Sequence, residues 1–234
     1  MRNFNIILSI LSLNAFLTIV ERLSFTGAIR LQPYDFLRLH EIIQMTIFIL
    51  VSVIGPFLLI KIMSNNFALL KDTKGTLYAV LFVAGTYFYG LGEGLHEVAS
   101  ALFNTYCNTE VIESTMCGSM FVNDYYTGNV YFFVGLLMID IALFLIERRN
   151  PQKKVTGKQL AIVLANSLVF TLTFIAYAAF DKVSVGLLFL ILSMIVANGF
   201  LLTSNAKYRL LPFTLYASVA YTLATIATAI IRFY

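Results

Sequence analysis

Seven stretches of the chain are almost continuously apolar, and short polar segments separate them. A helix that crosses a bilayer needs about 20 mostly apolar residues. A stretch such as VGLLFLILSMIVANGFLL (185–202) lacks the alternation of a barrel strand, and in lipid only a helix satisfies its own backbone within one segment. The pattern predicts an all-α integral membrane protein, a seven-transmembrane helix bundle forming one domain over residues 1–234. The predicted spans are about 4–21, 41–63, 76–103, 125–146, 159–180, 183–203 and 210–231.

The composition agrees with this fold class and excludes others. Hydrophobic residues make up 59% of the chain and charged residues 12%, whereas a soluble domain has about 25% charged residues. Basic residues do not form a run with interleaved aromatics, so nucleic acid is excluded as a partner. The first span is followed by ERLSF rather than by a small-x-small cleavage site. We therefore expect it to be retained, although cleavage would leave the other six spans unchanged.

Lysine and arginine predict the orientation of the bundle, because cytoplasmic loops of membrane proteins are enriched in both. With a cytoplasmic N-terminus and an outside C-terminus, eleven of the sixteen basic residues lie on the cytoplasmic side. The segment ERRNPQKKVTGK (147–158) is the strongest single signal. We expect a multi-pass protein of the plasma membrane.

Two cysteines, Cys107 and Cys117, lie ten residues apart in a polar loop that the charge pattern places outside. A disulfide is expected on that oxidising side. Two free thiols in a flexible loop are the alternative.

Glu93, His96 and Glu97 occupy positions i, i+3 and i+4 near the outer end of the third span, so they share one side of a helix. Gly85, Tyr89 and Gly92 continue this side inward, and Gly90-x-x-x-Gly94 beside it has the spacing that lets helices approach closely. Nine of the twelve carboxylates fall on or near the outer side. They are Glu21, Asp35, Glu41, Glu93, Glu97, Glu110, Glu113, Asp124 and Asp181.

Imidazoles with carboxylates at a water-accessible helix end are typical ligands of zinc, manganese or iron. The predicted metal ligands are His40, Glu93 and His96, and the predicted catalytic carboxylates are Glu97 and Asp124. A proton-handling site is one alternative, because histidine titrates near neutral pH. Solvated interfacial groups paired with Arg22 and Arg38 are the other.

Asp140 lies within VGLLMIDIALFLIERR (134–149), in the inner half of the predicted bilayer. A charge there costs at least about 2.5 kcal/mol on insertion scales, which marks the residue as a functional candidate. A protonated carboxyl bonded to Asn166, Tyr177 or Asn198 is the alternative. The predicted proton or ion path consists of Asp140, Asn129, Asn166 and Tyr177.

Three functions follow from these residues, and the sequence leaves open whether the protein is an enzyme. The first is a metal-dependent intramembrane hydrolase acting on a lipid or another amphipathic substrate. The second is a proton- or cation-coupled permease for a small solute that uses Asp140 and the polar stripes of spans five and seven. The third is an accessory subunit without chemistry of its own.

Two classes of seven-helix protein do not fit the chain. Retinal proteins need a lysine in the seventh span, and that span has none. The zinc hydrolases related to alkaline ceramidases use three histidines, with a close pair late in the chain. No histidine follows His96 here, and the similarity ends at the number of helices.

Overall fold

Seven long helices make up the protein in the computed structural model, which describes residues 1–33, 35–112 and 114–234. Glu113, one of the acidic residues counted above, lies outside the described residues. All seven helices are long and apolar enough to cross a membrane, and the described residues contain no strand. The prediction of a multi-pass helical protein is thus confirmed. The helices are α1 (Arg2–Arg22), α2 (Leu39–Met63), α3 (Thr73–Tyr106), α4 (Thr115–Arg149), α5 (Gly157–Ala178), α6 (Val185–Leu202) and α7 (Pro212–Phe233).

The observed helix limits lie within a few residues of the predicted ones, except at the start of α4. That helix begins at Thr115, about ten residues before the apolar run, because polar residues can continue a helix outside the hydrocarbon. Two helices contain a wider π-helical turn, at Gln44–Phe48 in α2 and at Asn123–Gly128 in α4. Such turns often accompany functional sites in helices.

Helices α3 and α4 form the closest pair in the bundle and run antiparallel. Cβ atoms added at Gly92 or Gly135 would overlap the backbone of the facing helix, at Phe132 and Tyr89 respectively. The predicted contact through Gly90-x-x-x-Gly94 is wrong: a Cβ at Gly90 would meet only Ile49, at 3.9 Å, and a Cβ at Gly94 would meet nothing within 4 Å. The close approach instead uses Gly85 and Gly92, which lie seven residues apart on α3.

Contacts between helix ends define two opposite ends of the bundle. At the basic end, Arg149 pairs with Asp72, Arg148 Nη2 donates to the Thr203 carbonyl at 3.0 Å, and Asn150 Nδ2 donates to the Met63 carbonyl at 2.6 Å. The acidic end is where α1 and α3 finish and α2 begins. There the predicted disulfide between Cys107 and Cys117 is confirmed, and it joins the end of α3 to the first turns of α4.

A buried carboxylate caps the beginning of α7. The amide N–H groups of Phe213 and Thr214 each donate to the Glu147 carboxylate at 2.8 Å, and the Thr214 hydroxyl donates to it at 2.7 Å. Glu147 has no exposed surface. The first N–H groups of a helix lack partners within the helix, so this side chain ties α4 to the first turn of α7.

Candidate functional site

At the acidic end, His40 pairs through Nδ1 with the Glu21 carboxylate. Gln44 Nε2 lies 3.2 Å from Glu21 Oε2 and 3.4 Å from His40 Nε2, and the Thr26 hydroxyl donates to the same carboxylate. His40 lies in the first turn of α2, and Gln44 lies one turn later, where the π-helical turn starts. This cluster fixes the end of α1 against the beginning of α2.

A second pair joins α3 to α4. His96 Nδ1 lies 2.8 Å from Asp124 Oδ1 and 3.0 Å from the Asp124 carbonyl oxygen. Asp124 belongs to the π-helical turn of α4 and is 1% exposed. The His96 ring meets the Tyr177 ring edge-on at 6.2 Å between centroids, so α5 also contacts this pair.

A third ion pair joins Glu97 on α3 to α1. Glu97 Oε1 lies 3.4 Å from Arg22 Nη2, and Glu97 is 3% exposed. Successive helical residues are rotated by about 100°, since a turn has 3.6 residues. Seen from Glu93, His96 therefore points about 60° to one side and Glu97 about 40° to the other. One helix face thus reaches two different neighbours, α4 and α1.

The predicted metal ligands do not assemble. No group of three or more His, Cys, Asp or Glu side chains able to hold a metal ion occurs in the described part of the chain. His40 and His96 belong to separate ion pairs, with Glu21 and Asp124. The predicted catalytic carboxylates are also separated, since Asp124 pairs with His96 and Glu97 pairs with Arg22. The described residues therefore do not show the zinc, manganese or iron site expected from the sequence.

Between the helices lies a cavity of about 180 Å³, with walls from every helix except α6. Arg22, whose side chain is 45% exposed, stands in this lining at the acidic end. Ten of the 27 lining residues are aromatic: Phe48, Tyr89, Phe132, Phe133, Phe170, Phe174, Tyr177, Phe213, Tyr216 and Tyr221. Two carboxyl side chains, Glu93 and Asp140, also line it.

Asp140 is 6% exposed and accepts the phenolic O–H of Tyr221 from α7. None of the three expected partners bonds it. Asn166 Nδ2 donates to Ser9 Oγ at 2.9 Å, Asn198 Nδ2 donates to Thr222 Oγ1 at 3.0 Å, and Tyr177 donates to Asn129 Oδ1. The alternative of a hydrogen-bonded carboxyl thus has a different partner from the three considered, because helical spacing does not state which helix faces which.

The α3–α4 packing gives the depth of the two carboxyl groups. Gly85 faces Ile139 and Gly92 faces Phe132, so Asp140 lies level with about residue 84 of α3. Glu93 stands nine residues further along that helix, about 13 Å away at 1.5 Å per residue. Glu93 is thus near the acidic end of the cavity and Asp140 is deep inside it.

The residues predicted to form a path are partly brought together. Asp140 and Tyr177 both line the cavity, and Asn129 bonds Tyr177. Asn166 lies at the contact between α5 and α1, where it bonds Ser9, and is not part of the described cavity lining. Sequence reasoning missed Tyr221 as a site residue. Its position on the polar stripe of α7, with Thr214, Ser218 and Thr225, was the available signal.

Asp181 lies in the loop between α5 and α6, at the acidic end of the bundle. Burial raises the pKa of Asp181, while N–H donors of Val183 and Lys182 and the nearby His96 and Arg232 act in the opposite direction.

A comparison with protein-family models, with curated proteins and with solved structures finds no match for this chain.

Proposed function

We propose that the protein binds small organic cations in the central cavity and carries them across the membrane in exchange for protons. The observation that carries this proposal is the presence of two carboxyl groups, Glu93 and Asp140, in one cavity whose lining also includes ten aromatic rings. Faces of Tyr and Phe rings attract cations, and aromatic cages are used to bind quaternary ammonium groups. The solute expected is compact, positively charged and partly apolar.

The charges around the cavity favour a cation over an anion. Arg22 is the one basic side chain in the described lining, and it pairs with Glu97. Glu93 has no hydrogen bond or ion pair among the described residues, and Asp140 has only the neutral hydroxyl of Tyr221. A buried carboxylate without a counter-charge is costly, so a proton or a bound cation is the expected partner of Asp140.

Proton exchange at Asp140 needs no other reactant. The carboxyl O–H bond breaks, the proton leaves to water, and the carboxylate becomes the counter-charge of the cation. When the cation leaves, a proton from water returns. The cavity lining extends from Arg22, whose side chain is 45% exposed, to Leu143 and Phe213. We therefore expect the cation to enter first at the acidic end.

Choline and its uncharged carbon analogue 3,3-dimethyl-1-butanol test the binding step, since the two molecules have nearly the same shape. Calorimetry on the detergent-purified protein should detect choline and not the alcohol. Asp140→Asn and Glu93→Gln should each weaken binding by about tenfold or more, equivalent to about 1.4 kcal/mol. The control is Asp72→Asn, which removes a carboxylate that pairs with Arg149 outside the cavity. Equal affinity for both molecules would exclude cation recognition.

Transport is tested separately in liposomes that contain the protein and a trapped pH dye. Choline entry should make the interior more alkaline, and Asp140→Asn should abolish the signal. Choline entry with no pH change would refute proton exchange but leave cation binding in place. The metal-dependent hydrolase lacks similar support, because its expected ligands lie in separate ion pairs.

A further inference from the structure

Two linkers meet at the basic end of the bundle and are held together by their backbones. The Gln152 amide donates to the Leu210 carbonyl at 2.8 Å, and the Val155 amide donates to the Arg209 carbonyl at 3.1 Å. Val155 is 1% exposed and so anchors the first linker. These bonds bring the residues after α4 beside those that precede α7.

A cleft of about 290 Å³ opens where the linkers meet. Its wall consists of Lys154, Lys207, Tyr208, Arg209 and Leu210. Arg209 Nε donates to the Tyr208 hydroxyl at 3.2 Å, and the guanidinium carbon lies 5.7 Å from the centre of the Tyr208 ring. The cleft thus gathers three cationic side chains from two linkers, and one of them is oriented by an aromatic ring.

Among the described residues, no ion pair neutralises the positive charge of this cleft. None of the ion pairs in the described part of the chain includes Lys154, Lys207 or Arg209. The two carboxylates at this end are already engaged. Asp72 pairs with Arg149, and Glu147 is buried at the beginning of α7.

We propose that the cleft binds a phosphate group, and that its natural source is the headgroup of an anionic phospholipid. Phosphate oxygens accept charge-assisted hydrogen bonds from lysine and arginine. Basic pockets at the ends of membrane helices bind such headgroups. Four of the five wall residues belong to the linker between Leu202, the last residue of α6, and Pro212, the first of α7, so we expect the cleft to lie close to the membrane surface. This site is independent of the proposed cation transport.

The test uses two triple variants that remove the same charge from the same end of the protein. K154Q/K207Q/R209Q removes the cations of the cleft, whereas K61Q/K71Q/K74Q removes three exposed lysines that do not line it. Native mass spectrometry measures retention of dioleoyl phosphatidic acid and dioleoyl phosphatidylcholine by each protein. A parallel titration uses sn-glycerol 3-phosphate, which carries the phosphate without the acyl chains.

The wild-type protein should bind phosphatidic acid much more tightly than phosphatidylcholine. At about 1 kcal/mol per basic residue, the cleft variant should lose roughly 100-fold in affinity, and the control variant should stay within about twofold of the wild type. Selective loss of glycerol 3-phosphate binding alone would support the phosphate site but identify a soluble ligand. Equal losses in both variants, or no preference for phosphatidic acid, would refute the site. Melting temperatures of both variants show whether the fold is kept.

Discussion

Tyr221 donates its phenolic hydrogen to Asp140, and this bond joins α7 to α4 inside the cavity. Both side chains are almost fully buried, at 1% and 6% exposure. The hydroxyl is the only hydrogen-bond partner of the carboxyl group among the described residues. Removing the Tyr221 hydroxyl should therefore lower the stability of the bundle and leave the Asp140 carboxyl group without its hydrogen bond.

Tyr221→Phe should lower the free energy of unfolding by about 1–3 kcal/mol, because a buried polar group is left without a partner. The double variant Y221F/D140L should be more stable than Tyr221→Phe, since removing both partners is less costly than removing one. The measurement is thermal unfolding in detergent at neutral pH. Tyr216→Phe, which loses a 3.0 Å bond to Ser12, is the matched control. A double variant less stable than Tyr221→Phe would show that the pairing is not what stabilises this contact.

The second prediction is that glycines of α3 and α4 differ strongly in their tolerance of an alanine substitution. Gly92→Ala and Gly135→Ala should each destabilise the protein by several kcal/mol or prevent folding, because the new methyl group would overlap the opposite backbone. Gly94→Ala adds a methyl group where nothing lies within 4 Å. It should be neutral or stabilise the helix by up to about 1 kcal/mol.

Expression level and melting temperature of the three variants decide this prediction. Strong destabilisation by Gly94→Ala, with tolerance of Gly92→Ala, would contradict the packing of these two helices. Gly90→Ala, whose Cβ would meet only the end of Ile49, adds a second control on the same helix.

The helices themselves were predictable from the sequence because a bilayer requires a minimum apolar length, and seven runs satisfied it. The start of α4 at Thr115, before the predicted span, has a physical reason. Helical structure outside the hydrocarbon depends on capping and local bonds, such as the Ser114 side chain that accepts from the Cys117 amide at 3.1 Å. The disulfide was predictable because the chain has only two cysteines, both in one loop.

The arrangement of the site was less predictable. Periodicity states which residues share a face of one helix, but not which helix lies opposite. For this reason the alternative for Asp140 considered Asn166, Tyr177 or Asn198 as partners, whereas the carboxyl group bonds Tyr221. Similarly, Glu93, His96 and Glu97 were expected to act together, while His96 reaches α4 and Glu97 reaches α1.

Asp181 and Asp72 should give opposite dependences of stability on pH. Burial raises the folded-state pKa of Asp181, so the folded protein holds this proton more strongly than the unfolded chain. Its contribution to stability falls as pH rises from the unfolded value of about 3.9 through the raised pKa. The hydrogen bond from Arg149 lowers the pKa of Asp72, so the contribution of Asp72 is present above about 3.9 and is lost as pH falls.

Melting temperatures between about pH 3.5 and 7 test this pair of signs. The change in melting temperature that Asp181→Asn causes, relative to wild type, should be more positive at pH 7 than at pH 4. For Asp72→Asn this change should be more negative at pH 7 than at pH 4, by a small amount because that carboxylate is exposed. The same direction of change in both variants would contradict the assignment.

Glu147 should act as the cap of α7 rather than as a proton-carrying group. Glu147→Ala leaves the Phe213 and Thr214 amides without their acceptor, and should cost about 1–3 kcal/mol of stability. Glu147→Gln keeps one carbonyl oxygen and should recover part of this loss. Choline transport by the folded Gln variant should remain close to wild type, since Glu147 is not in the described cavity lining. A stable Gln variant without transport would place Glu147 on the proton path instead.

The distribution of basic residues also predicts which end of the bundle faces the cytoplasm. Lys158 at the basic end and Lys182 near the acidic end are both exposed, and the two native cysteines are joined in a disulfide. Lys182→Cys should therefore react with a membrane-impermeant maleimide in intact cells. Lys158→Cys should react only after the cells are permeabilised, because the positive-inside rule places that linker in the cytoplasm. The reverse pattern would invert the bundle, and with it the side from which cations first enter the cavity. Labelling of neither residue before permeabilisation would instead indicate an internal membrane.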